Sequence, residues 1–549
     1  MSKLLSLRLL RIVIAAIFGL LFLFLFIDFS ETLPPPFING LLYFQFTPSL
    51  LKFIKVGGLL ATGFILVIIL TLLFGRVYCS MLCPLGILQD LIARIRRKKA
   101  RYKFLKPWNI FRYTTLLIVV ITVLAGSLFL LNLLDPYSFA GRIFSDLVRP
   151  AYYAGNNALV AVFGYFNNYS LHHVDFKSMP WQVITLTSSL TAGLILIAWR
   201  WGRIFCNTLC PVGAVLSLIS RYSIFKIKID DKACTACNRC VRTCKATCID
   251  IKSKEIDFSR CVACYNCIDS CNENSIGYKY PLGKKTKTSN KTIKNSSRRG
   301  FIAAFTGLVA GSTLLGKAVR TYAQGNRYQN RQREGQKIGK GQKQEQSTVQ
   351  VSENSTSGQR PNSRTSSASP PGSYSIKEFL NACTACHLCI SSCPTYVIQP
   401  SVKEWGFFGI MQPHMDFHSG FCNFECTLCG EVCPTGAIRP LQLETKKRAQ
   451  IGKVKFHKAN CIVNTDRTEC GACSEHCPTK AVYMVPWQGL LLPEVNDEIC
   501  IGCGACEYAC PTEPYKAIYI NGNHTHQVAE LPEEMDDSPQ ESDMDDFPF

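Results

Sequence analysis

Twenty-four of the chain's 29 cysteines fall into six short runs of near-identical spacing. The first reads Cys234-x2-Cys237-x2-Cys240-x3-Cys244. The others are Cys261, Cys264, Cys267 and Cys271; Cys383, Cys386, Cys389 and Cys393; Cys422, Cys426, Cys429 and Cys433; Cys461, Cys470, Cys473 and Cys477; and Cys500, Cys503, Cys506 and Cys510. Disulfide-stapled scaffolds are short and do not repeat this spacing. A cubane iron–sulfur cluster needs four thiolates. In two-cluster ferredoxins the first three cysteines of a run hold one cluster and the fourth reaches across to the other. Six runs therefore predict six [4Fe–4S] clusters in α+β modules of the bacterial-ferredoxin kind, and a chain with that many neighbouring redox centres moves electrons.

The 549 residues are too many for one domain, and the 47% hydrophobic content is concentrated in the first third. Four apolar stretches, about 9–28, 54–74, 113–134 and 182–201, approach the length of a membrane span. The net charge of +21 could point to nucleic acid, but its distribution points to membrane topology instead. Between Arg76 and Arg112 lie Arg94, Arg96, Arg97, Lys98, Lys99, Arg101, Lys103 and Lys106 against Asp90, which marks a cytoplasmic loop. The N-terminus is then cytoplasmic too, loops 29–53 and 135–180 face outward, and the chain re-enters the cytoplasm after Trp201. The expected architecture is a membrane α-helical domain (1–225) followed by a cytoplasmic two-cluster module (226–280).

Ser297-Arg298-Arg299-Gly300 then leads into an apolar segment from Phe301 to Leu315. A twin-arginine pair of this kind is a receptor-read export signal. It predicts that residues 281–323 carry a signal or fifth, anchoring span, and that the downstream block folds with its clusters before crossing the membrane. Residues 324–374 lack the apolar content to fold alone and read as a disordered linker. The exported block is expected at 375–522, with four clusters, and an acidic disordered tail at 523–549.

The membrane part is internally duplicated. GRVYCSMLCPLGILQDLI begins at Gly75 and GRIFCNTLCPVGAVLSLI at Gly202. Cys79 and Cys83, like Cys206 and Cys210, are four residues apart and would share one face of a helix, which Pro84 and Pro211 then bend or end. If the repeats meet, the four thiols suffice for one metal or cluster, or for a redox-active thiol set.

Four spans, two GRxxCxxxCPxG repeats and a two-cluster module resemble the NapH-type membrane ferredoxins, with kin among nitrous-oxide reductase maturation and cytochrome-oxidase assembly proteins. The twin-arginine signal and four further motifs, with the odd spacings Cys422-x3-Cys426 and Cys461-x8-Cys470, resemble the NapG/MauM-type periplasmic ferredoxins. Together the resemblances cover the chain apart from the linker and tail and suggest a NapH–NapG fusion. They imply an inner-membrane electron-transfer component of a quinol dehydrogenase rather than a stand-alone enzyme. Its partners would be the membrane quinone pool and a periplasmic reductase or cytochrome, in a nitrate-reductase-like system, with no nucleic acid. The alternatives are thiol or metal reduction in cofactor maturation, or a cytoplasmic polyferredoxin hub. Lys245 and Asn272 depart from the pattern by standing where proline usually follows the fourth cysteine, and Cys248 is an extra thiol.

Cys383-Thr384-Ala385-Cys386-His387 matches a c-type haem attachment motif, but haem there would orphan a cluster. Gly311 to Lys317 mimics a phosphate loop without its terminal Ser or Thr. Asp135, His172 and His173 lie on the expected outer side as candidates for taking up quinol protons.

Overall fold

The computed structural model describes residues 7–27, 33–55, 61–95, 102–174, 179–279 and 364–530. The chain divides into two units, Met1–Tyr280 with Gln359–Phe549, and Pro281–Gly358. Arg298, Arg299, the apolar segment after them and the phosphate-loop mimic lie outside the described residues, as does the tail beyond 530.

In the first unit the apolar third is helical. Its helices are α1 (Leu7–Ile27), α2 (Pro35–Tyr43), α3 (Phe46–Lys55), α4 (Gly63–Phe74), α5 (Tyr78–Met81), α6 (Pro84–Ile95), α7 (Asn109–Leu124), α8 (Phe129–Leu134) and α9 (Pro136–Arg142). A π-helical turn (Ile143–Val148) leads to α10 (Arg149–Tyr165), α11 (Trp181–Trp201), α12 (Ile204–Thr208) and α13 (Pro211–Ser220). Among the described residues only α1 and α11 are long and apolar enough to cross a membrane. The other two of the four expected spans are not found among the described residues. The stretch expected at 54–74 reaches only 12 residues as α4, and that at 113–134 breaks after α7, where Gly126 turns to φ +85°.

The cysteine-rich parts are α+β, built from short helices and two-stranded antiparallel sheets. Strands β1 (Lys226–Ile229) and β4 (Ile276–Lys279) pair, as do β2 (Ile249–Asp250) and β3 (Glu255–Ile256). In the C-terminal block β5 (Ile398–Pro400) pairs with β6 (Pro413–Met415). There too β7 (Ala449–Phe456) pairs with β10 (Ile518–Val528), and β8 (Val482–Trp487) with β9 (Leu490–Val495). The block extends past both expected edges. Strand β10 continues to Val528, opposite Ala449, and residues from Thr365 onward contact it. Asn521 Oδ1 accepts from Thr365 N and Ser366 N, and the Ser369 hydroxyl lies 3.0 Å from His526 Nε2. These polar residues read as linker because their partners lie some 150 positions away in the chain.

The two long helices orient everything else. At the start of α1, Arg8 is ion-paired to Asp269 of the first cysteine-rich module. Towards the end of α1, Phe22 and Phe26 pack with Cys386, Leu388 and Val432 of the C-terminal block. Helix α11 runs the other way. Val183 near its start packs with Ala385 and Met411, and Gly202 at its end abuts Lys245. At 1.5 Å per residue each helix is about 30 Å long, so the two blocks cap opposite ends of the helical domain.

Candidate metal centres

The two GRxxCxxxCPxG repeats meet and clamp each other. Arg76 donates to Asn207 Oδ1 (2.7 Å) and to the Cys206 carbonyl (3.0 Å). Arg203 donates to the carbonyls of Cys79 and Gly86. Each repeat's arginine thus holds the other repeat's first cysteine, and both guanidiniums are wholly buried. The Pro-x-Gly glycines have a steric role: a Cβ at Gly86 would stand 2.2 Å from Cys79 O, and one at Gly213 2.1 Å from Cys206 O. The glycines that open the repeats, Gly75 (φ +80°) and Gly202 (φ +68°), turn where a side chain would strike Phe258 or Lys245 O of the first module.

The expected sharing of one helix face by each cysteine pair is not what forms. Cys79 lies on α5 and Cys206 on α12, while Cys83 and Cys210 stand in the turns that precede Pro84 and Pro211. Each proline opens a new helix, where its missing N–H costs nothing. All four thiols are buried, 3–5% exposed. They are one another's electrostatic neighbours: Cys210 feels Cys206, Cys83 and Cys79. Burial pushes Cys83 and Cys210 well above the usual thiol range and Cys206 up to about 11. Such thiols ionise only when a cation takes the proton's place. The surroundings suit thiolates. Gly213 N–H donates to Cys210 Sγ (3.3 Å), and Arg76 Nη2 lies 3.8 Å from Cys79 Sγ. Gln89 Oε1 is 3.1 Å from Cys206 Sγ while its buried Nε2 has no partner, so a flipped amide would give that sulfur an N–H donor. Among the described residues no three His, Cys, Asp or Glu groups converge as for a single metal ion.

Four cysteine-lined cavities show a crosswise arrangement of the runs. One cavity of about 310 Å³ is lined by Cys261, Cys264, Cys267 and Cys244. A second, also about 310 Å³, is lined by Cys383, Cys386, Cys389 and Cys433. Cys422, Cys426, Cys429 and Cys393 line one of about 340 Å³, and Cys461, Cys470, Cys473 and Cys510 one of about 350 Å³. Each is three cysteines of one run and the fourth of its neighbour, in an otherwise apolar or neutral lining apart from His387. Cys477 is the electrostatic neighbour of Cys500, Cys503 and Cys506, and Cys234 and Cys237 act on Cys240. Cys271 Sγ lies 3.2 Å from the Ser275 hydroxyl.

Several residues that the spacing did not single out belong to these sites. In the C-terminal block a threonine hydroxyl stands beside the fourth sulfur of each run: Thr395 (3.6 Å), Thr435 (3.8 Å), Thr479 (3.7 Å) and Thr512 (3.1 Å). The signal was the fourfold Cys-Pro-Thr. Cys248 lines the Cys244 cavity, with its sulfur 3.6 Å from Cys244 Sγ. Lys245, in the usual proline position, joins the first module to the helices. Its carbonyl accepts from Arg203 N (3.0 Å) and its ammonium reaches Asp90 (3.3 Å). Asp90 also binds Arg11 (2.6 Å) and Arg203 (2.8 Å). Burial alone would raise its carboxyl, but these cations hold it well below the usual range.

His387 is engaged at both ring nitrogens, with Nδ1 2.7 Å from Asp146 Oδ1 and Nε2 2.9 Å from Met411 O. Asp135 is fully buried and caps α9, accepting from Ser138 N and Oγ, both at 2.8 Å. His172 and His173 are exposed on the segment after α10.

Known proteins resemble parts of this chain in sequence. A family model described as a 4Fe-4S binding domain matches residues 56–103 and 183–230, the two halves that contain the clamped repeats. One described as a 4Fe-4S dicluster domain matches 382–437 and 466–514. An uncharacterized protein of Methanocaldococcus jannaschii is 28% identical over 38% of this chain and 69% of its own length. The methylamine utilization ferredoxin-type protein MauM of Methylobacillus flagellatus is 31% identical over 24% of this chain and 59% of its own. The ferredoxin-type protein NapH of Haemophilus influenzae is 25% identical over 33% and 51%. The chain thus spans less than two thirds of MauM and of NapH. No solved structure matches it. Cysteine spacing, crosswise cavities and relatives agree: the chain is a ferredoxin-type, iron–sulfur electron-transfer protein with NapH- and MauM-like homologues.

Proposed function

We propose that this protein sits in the cytoplasmic membrane, takes electrons from quinol and relays them to a reductase or cytochrome on the outer side, as in nitrate-reductase-like systems. The single observation that carries this reading is the capping of α1 and α11 at opposite ends by the two cysteine-rich blocks. In this reading the first module is cytoplasmic and the C-terminal block periplasmic, with Arg298 and Arg299 directing its export. The six runs, paired three-plus-one, hold six [4Fe–4S] clusters, and Cys79, Cys83, Cys206 and Cys210 hold a further iron–sulfur site. Bound clusters supply one-electron redox chemistry. The chain's own residues supply thiolates, exclude water and place buried cations near the sulfurs.

Reduction of a metal or disulfide partner by the four clamped thiols would require a partner to reach them, and their burial opposes it. The test is anaerobic addition of duroquinol to the full chain in nanodiscs while the visible iron–sulfur absorbance is followed. The expected result is bleaching. If dithionite bleaches the protein and duroquinol does not, the quinol step is wrong while electron transfer stands.

A further inference from the structure

The four-thiol centre has a neighbour on each side. Towards the first module, Arg76 links it to the Cys261 site: Nη1 donates to Ser259 O (3.3 Å), two residues before Cys261, while Nη2 donates to Cys206 O. Asn207 Nδ2 donates to Ala246 O (3.3 Å), two residues after Cys244, and Arg203 N to Lys245 O. Towards the C-terminal block the link is α9. Its Phe139 ring stands 6.2 Å from Phe205, the residue before Cys206. Its Tyr137 packs with Cys386, and a Cβ on its Gly141 would stand 2.4 Å from Cys386 O. Helix α9 has seven residues, about 10 Å at 1.5 Å each, and all seven are buried. Helix α9 therefore packs against both the four-thiol centre and the Cys383/Cys386/Cys389/Cys433 site.

We infer that the iron–sulfur site which Cys79, Cys83, Cys206 and Cys210 would hold is a relay that passes single electrons between the Cys244/Cys261/Cys264/Cys267 site and the Cys383/Cys386/Cys389/Cys433 site, so that the chain conducts from one end of its helical domain to the other. One electron lost at the first site is gained at the relay, and one lost at the relay is gained at the second. No bond to sulfur forms or breaks and no proton need move. The donor is a low-potential one-electron reductant at the first module, and the acceptor a one-electron oxidant at the C-terminal block. Arg76 and Phe139 are positioning residues in this scheme. The inference rests on the iron–sulfur part of the proposed function and not on its quinol step.

The experiment uses the full chain in quinone-free liposomes with ferricyanide trapped inside and titanium(III) citrate outside. Bleaching of ferricyanide is expected, and in Cys79→Ser/Cys206→Ser it should fall to the rate of protein-free liposomes. Iron analysis of that variant should show the loss of one site's iron, with the rest still reduced by titanium(III) citrate. Phe139→Ala, which removes no ligand, should slow the bleaching at full iron content, and so serves if the thiol variant fails to fold. Unchanged bleaching in both variants overturns the relay, as does bleaching that requires added quinone.

Discussion

Thr512 shows how a single side chain can set a redox property. Its hydroxyl lies 3.1 Å from Cys510 Sγ, the shortest of the four Cys-Pro-Thr contacts. A hydrogen bond to a ligand sulfur favours the reduced, more negative state, and a typical one contributes about 1 kcal/mol. Thr512→Val should therefore lower the potential of the Cys461/Cys470/Cys473/Cys510 site without loss of iron, as read by redox titration. Asp90 shows a charge held in place by three cations. Removing one partner of a buried ionic set typically costs about 3–5 kcal/mol, because the remaining charges stay uncompensated. Asp90→Asn should destabilise the docking of the first module by that order, read by hydrogen exchange at Lys245–Thr247. Its carboxyl is held below the usual range when folded. The stability it adds is present above the unfolded value of about 3.9 and is lost as pH falls below that. The variant's docking should lack this acid-dependent loss.

The informative elements are the ones whose partners are distant in sequence. The π-helical turn after α9 presents Asp146 to His387 and to Thr187, whose hydroxyl donates at 2.9 Å, and π-turns often mark functional positions. Both members of the Asp146–His387 pair are fully buried. His387→Leu removes the imidazole from Asp146 and leaves it the Thr187 hydroxyl. Hydrogen exchange at Leu388–Ser391 should accelerate by an amount corresponding to about 1–3 kcal/mol, while exchange in β7 and β10 stays unchanged. Opposite outcomes in these two regions would mean that the pair stabilises the block internally rather than its seat on the helices. In the sequence, Asp146 is one acid in a nearly neutral loop, and His387 looks like part of a haem motif. Only the fold pairs them.

At the scale of the whole molecule, the features legible in the sequence are those that depend on local spacing. Three-plus-one ligand sharing comes from the run lengths, and the meeting of the repeats from their duplication. The spans are harder to read, because apolar content does not reveal where a helix stops. Gly126 breaks the stretch at 113–134, and the two repeats break into half-helices at their prolines. The polar residues 364–374 give no local sign of folding, since Asn521 and His526 hold them from the far end of the block. The central claim is that the two cysteine-rich blocks lie at opposite ends of the helical domain and so on opposite sides of a membrane. The most direct measurement is protease accessibility of two tags in sealed, right-side-out vesicles, one inserted at the exposed Lys252 turn and one after Phe549. The account predicts that the C-terminal tag is cleaved and the Lys252 tag protected, with the pattern reversed in inverted vesicles. Cleavage of both tags from the same side would contradict it.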